Sequence, residues 1–140
     1  MKNRLIFGAS FLVLGMVLGF FLSRTVNTTG DPAKTYTGYL VCQSCAGSVP
    51  TMAADGTNLL LHPEKHTTNC LRMYTCVTSG FGIYVKNSSG NYTYYKFDKK
   101  GSDLAYKNIV ATTKRPDNLS VNVTGKMKND QITVYSITEK

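Results

Sequence analysis

Acidic residues are scarce in this sequence. Eight Asp and Glu stand against 16 Lys and Arg, and charged residues make up only 17% of the 140. The carboxylates are scattered, mostly in turn-like stretches, so no pair is placed for general acid–base chemistry. No Gly-rich phosphate loop and no Ser/His/Asp set occurs. Length excludes a barrel enzyme of about 250 residues and a doubly wound cofactor fold with two halves. What remains is one small domain plus an appendage. An apolar fraction of 42% argues against a disordered tail. The chain carries no catalytic constellation, and enzyme activity is not expected of it.

The net charge of +8 is unevenly placed. Residues 1–24 hold Lys2, Arg4 and Arg24 and no acid, so the remainder has 13 basic residues against 8 acidic, a net +5. That remainder is scattered, with only Lys99-Lys100 and Lys114-Arg115 adjacent. It forms no phosphate-tracking stripe, and nucleic acid is not an expected partner. No specific small molecule is indicated either.

Between Leu5 and Leu22 there are 18 residues without a charge. As a helix they extend about 27 Å, near the thickness of a bilayer core. Lys2 and Arg4 precede the run, which orients the N-terminus toward the cytoplasm. The exit, Phe20-Phe21-Leu22-Ser23-Arg24, lacks the small-x-small pattern of a cleavage site. No Cys near it offers a lipidation point. These features predict an uncleaved signal anchor over residues 1–24, a single-pass membrane segment with the C-terminal domain outside the cytoplasm; a cleaved signal peptide is the competing reading. Residues 25–34 read as a linker, and residues 35–140 as the exported domain. The expected partners are the membrane and proteins of the cell envelope.

Within the domain, Tyr36–Cys42 and Gly82–Lys86 read as strands. Tyr92–Phe97 follows the second across Asn87-Ser88-Ser89-Gly90-Asn91, so the two predict a hairpin. Leu119–Gly125 and Gln131–Ile137 alternate apolar and polar residues across a turn at Lys128-Asn129-Asp130. Residues 43–58 read as a loop. A helix is expected from Pro63 to about Val77, and a short one over Ser102–Val110. The expected fold is mainly β with a helical insertion: a small, partly open, antiparallel five-stranded barrel of the OB type, preceded by one transmembrane helix.

All four cysteines and both histidines lie between positions 42 and 76. Cys42-x-x-Cys45 has a spacing suited to a metal or a redox disulfide. His62, His66 and Cys70 are spaced by four and would form one stripe on a continuous helix. Three readings stand. The cysteines form two structural disulfides, which suits an exported domain with a lean core. Alternatively Cys42, Cys45 and Cys70, with Cys76 or His66, bind zinc. In the third, Cys42 and Cys45 exchange disulfides; the Ala46-Gly47-Ser48 that follows gives no setting to lower a thiol pKa. A metal carrier or thiol–disulfide exchanger is therefore the alternative to a binding module. A c-type haem is not expected, because Ala46 and not His follows Cys45. Aromatic residues on the hairpin, Tyr84, Tyr92 and Tyr94, are candidates for stacking a ligand.

The opening Gly38-Tyr39-Leu40-Val41-Cys42-Gln43-Ser44-Cys45, then His66-Thr67-Thr68-Asn69-Cys70, Cys76, Ser79-Gly80-Phe81-Gly82 and the closing Val121-Asn122-Val123-Thr124-Gly125 form a recurring pattern. The chain resembles a loosely defined group of small exported bacterial proteins with a C-x-x-C opening and an H-x-x-x-C segment. The resemblance implies an OB-like domain and export. It assigns no activity, since most of that group has none.

Overall fold

A computed structural model describes residues 32–140. The expected membrane anchor and nearly all of the linker lie outside the described residues. Among the described residues no helix is long and apolar enough to cross a membrane.

Five strands carry the domain: β1 (Lys34–Cys42), β2 (Phe81–Lys86), β3 (Tyr92–Phe97), β4 (Ser120–Lys128) and β5 (Gln131–Glu139). They close into a barrel in the order β1-β2-β3-β5-β4, with β1 pairing back onto β4. Closure leaves no sheet edge to template aggregation. The ring differs from the expected antiparallel, partly open one. It is closed, and its β3–β5 junction is parallel, made by Lys96↔Gln131 and Phe97↔Ile132.

β1 serves two neighbours at once. Its first half pairs with β4 and its second with β2, the changeover falling at Tyr39, opposite both Ser120 and Tyr84. The strand must bend there. Gly38 permits the bend, since a Cβ at that position would run into the Tyr84 carbonyl. Alternate side chains then enter the barrel: Leu40 and Cys42 from β1, Ile83 from β2, Phe97 from β3, Val121 and Val123 from β4. β5 buries Ile132 and Val134 and then, out of phase, Ile137. A bulge explains the slip: Thr124 faces Ser136 but Gly125 faces Val134, so Tyr135 is the extra residue.

α4 (Lys99–Ala105) runs on into a π-helical turn, Tyr106–Val110, and lies between β3 and β4 in the chain. It begins earlier than the expected Ser102. Asp98 caps it by accepting from the Gly101 N–H at 3.0 Å and also accepts from the Val134 N–H at 3.1 Å. That carboxylate therefore ties the helix to β5. Ala105, Ile109 and Val110 complete the core from this side.

Residues 43–79 form a single insert between β1 and β2. The expected loop over 43–58 opens with a helical turn, α1 (Gln43–Ala46). The expected helix from Pro63 to Val77 is broken into three: a 3-10 turn at Pro63–Lys65, α2 (Thr68–Leu71) and α3 (Tyr74–Ser79). The reason is local. Thr67 adopts extended backbone and its hydroxyl accepts from the Cys70 N–H at 3.2 Å, starting a new helix instead of continuing an old one. Met73 is extended too and separates α2 from α3. No continuous helix carries His62, His66 and Cys70 on one stripe.

Candidate metal and disulfide centre

The insert folds back so that its cysteines meet at the end of β1. Cys42 is the last residue of β1, Cys45 lies in α1, Cys70 in α2 and Cys76 in α3. All four are buried, and no disulfide is closed among them. His66, from the segment leading into α2, is only 1% exposed and joins them. His62 does not: it is exposed, and its Nδ1 lies 3.1 Å from Glu64 Oε1.

The five donor atoms fall into two groups of three that share Cys45. One is Cys42, Cys45 and Cys76; the other is Cys45, His66 and Cys70. Within each, the donors lie within 4.8 Å of one another. The Cys45 sulfur stands 3.7 Å from that of Cys76 and 4.0 Å from that of Cys70. Two thiolates on one tetrahedral metal with bonds of about 2.3 Å lie about 3.8 Å apart. These cysteines and His66 are therefore positioned to hold a metal ion.

His66 supplies the sharpest observation. Both of its ring nitrogens are buried and neither has a hydrogen-bond partner. A buried imidazole without partners forfeits its hydration for nothing. Burial pushes its pKa down from 6.5 to about 4, with the Asp55 carboxylate pulling the other way. The ring is thus neutral at physiological pH, the form that binds a metal.

The Cys45 thiol leans the opposite way from a redox nucleophile. Burial pushes Cys45 up to about 11; the Ala54 N–H opposes this, and the proximity of Cys70 and Asp55 adds to it. A thiol that attacks disulfides needs its pKa lowered. The C-x-x-C sulfurs also have other neighbours: Cys42 is grouped with Cys76, and Cys45 lies beside both Cys76 and Cys70.

Asp55, which sequence reasoning passed over, organises the approach to Cys70. Its Oδ2 accepts from the Thr67 N–H at 3.2 Å and from the Thr67 hydroxyl at 2.7 Å, while Oδ1 accepts from the Thr57 N–H at 3.0 Å. Burial alone would raise the carboxyl, but these hydrogen bonds outweigh it and hold it down at about 2. Asp55 thus fixes Thr67, and Thr67 caps the helix that carries Cys70. The only sequence signal was the Asp55-Gly56 turn and a Thr three residues before a Cys.

Of the three stacking candidates, Tyr84 is 1% exposed and offers no open face. Its ring packs against Tyr92 and Tyr94, at centroid distances of 6.4 and 5.5 Å. Tyr92 and Tyr94 are half-buried in the same cluster. These rings pack on one another.

No family model, curated protein or solved structure matches the chain.

Proposed function

We propose that this chain is a membrane-anchored, exported interaction module, an accessory protein of the cell envelope built on an OB-type barrel. The strand order, the parallel β3–β5 junction and the helix between β3 and β4 support the OB assignment. The leader over residues 1–24 supports the anchor, and the resemblance to small exported bacterial proteins supports the setting.

One observation carries the interaction reading. Of eight large apolar side chains exposed among the described residues, six lie in the insert: Val49, Met52, Leu60, Leu61, Met73 and Tyr74. Tyr74 is 82% exposed and Leu61 64%. Exposed apolar groups this frequent in one segment support a contact role for it. The Cys/His centre joins α1, α2 and α3 to the end of β1 and acts as the clamp of the insert, by disulfides or by a metal. Zinc is the metal that this donor set suits. A bridge from Cys42 to Cys76 would close nearly the whole insert into one loop, worth about 3–4 kcal/mol in the chain-entropy account.

The reading is tested with a photo-crosslinking amino acid at position 74 in the full-length chain in its native membrane. A discrete crosslinked envelope protein, lost in a Leu60→Glu/Leu61→Glu variant that keeps its melting temperature, is the expected result. Crosslinking to lipid alone, or to nothing, contradicts it. Metal carriage is the second reading, favoured by the unpartnered His66 beside Cys45 and Cys70.

A further inference from the structure

The five donors have more than one way to serve as a clamp, and their division into two groups selects among them. A single four-ligand site would need four donors mutually close. Among the described residues they are grouped by threes, and Cys76 is grouped with Cys42 and Cys45 but not with His66 and Cys70. Two disulfides would use all four sulfurs and leave His66 buried with both nitrogens unpartnered. Neither arrangement accounts for every group.

We propose that the centre is divided: Cys42 and Cys76 form a structural disulfide, while Cys45, His66 and Cys70 form a separate three-ligand site for a zinc ion with one coordination position open. This rests on reading the Cys/His centre as the clamp of the insert and assigns each of its members a task.

Charge supports the division. Two thiolates and a neutral imidazole around Zn2+ sum to zero, whereas three thiolates would leave a buried net negative charge, which is costly. The Ala54 N–H directed at Cys45 suits a thiolate acceptor. The open position follows from the surroundings. Cys70 lines a cleft of about 290 Å³ together with Ala54, Asp55, Thr67, Asn69 and Met73. Of the three ligands Cys70 alone lines that cleft, so the open position is assigned to its side of the site. Asp55 and Met73 line the same cleft.

The bonds balance as follows. Cys42 and Cys76 lose two electrons and two protons to a protein disulfide donor of the oxidising envelope, which is reduced to its dithiol. Cys45 and Cys70 release one proton each to solvent as Zn2+ binds, and the imidazole of His66 binds without losing one.

The test uses the full-length chain purified in detergent without reductant and loaded with zinc. Metal content is measured, and alkylated cysteines are mapped by mass spectrometry before and after chelation. One zinc per chain is expected, with a Cys42–Cys76 disulfide peptide and alkylation at Cys45 and Cys70 only after chelation. His66→Ala should weaken zinc binding at least tenfold while the disulfide persists. Cys42→Ser/Cys76→Ser should keep one zinc per chain. With Co2+ in place of zinc, added free thiol should shift the visible absorption bands, since an open position admits it.

Four alkylatable cysteines per metal-bound chain, or loss of zinc in Cys42→Ser/Cys76→Ser at an unchanged far-ultraviolet dichroism spectrum, would overturn the division. So would two disulfides with no bound metal. Those outcomes leave the clamp reading standing, because the insert is still held. An unshifted Co2+ spectrum would overturn the open position. If the insert keeps its protease resistance when chelated and reduced, the clamp reading itself fails, separately from the division.

Discussion

The barrel and the insert are built on different principles. The barrel follows the period of its strands: inward residues are Leu, Ile, Val and Phe, with Cys42 at the end of β1, and each strand is paired on both sides. The insert has three helices of four to six residues and no strand of its own beyond the single bridge Met52↔Asn58. Helices that short are not stable by propensity. Its buried residues are Cys45, Ala53, Leu59, Pro63, His66, Thr68, Cys70, Leu71 and Cys76, of which four are thiols or imidazole. It reaches across to the far loop through Arg72, whose Nε and Nη2 donate to the Val110 and Thr113 carbonyls at 2.9 Å each. Hydrophobic burial holds the barrel. In the proposed reading the Cys/His centre adds to the buried Ala53, Leu59 and Leu71 in holding the insert, whose surface exposes Leu61 and Tyr74.

Three perturbations would sharpen the contrast. The largest effect belongs to the barrel. Phe97, 1% exposed, sits where β3 meets β5. Phe97→Ala should cost about 3–5 kcal/mol, read as a fall in urea midpoint shared by barrel and insert, since losing the barrel removes the insert's support. The next effect belongs to the insert. In metal-free protein the folded His66 takes its proton near pH 4 and the unfolded one near 6.5. Its contribution is therefore complete above pH 6.5 and is lost as pH falls toward 4, by about 3 kcal/mol. Urea titrations at pH 7 and pH 4.5 should show this loss, and His66→Leu should flatten it. The smallest is the cap: Thr67→Ala should cost about 1 kcal/mol, seen as faster amide exchange at residues 68–71 with the barrel unaffected.

The two regions were also unequally legible in the sequence. Alternation of Val121 and Val123 marks β4 because a half-buried strand repeats every two residues. Tyr92–Phe97 is legible at its observed bounds because the Asn and Gly before it favour a turn. The parallel β3–β5 closure was not legible, since it depends on a long-range pairing that no local pattern encodes. In the insert, local rules competed. Spacing by four suggested one helix, but a threonine hydroxyl at position 67 interrupts it, and spacing says nothing about capping. The clustering of cysteines showed which residues matter; their division into two groups follows from where α1, α2 and α3 pack. His66 and His62 look alike in the sequence. Only burial separates the ligand candidate from the surface residue.

The central proposal, that the Cys/His centre clamps the insert onto the barrel, is tested most directly by amide hydrogen exchange on the full-length chain at pH 7. It is measured as purified and again after combined chelation and reduction. The account predicts that protection collapses across residues 43–79 while β4 and β5 keep theirs. Equal loss in both regions, or no loss in the insert, would contradict it.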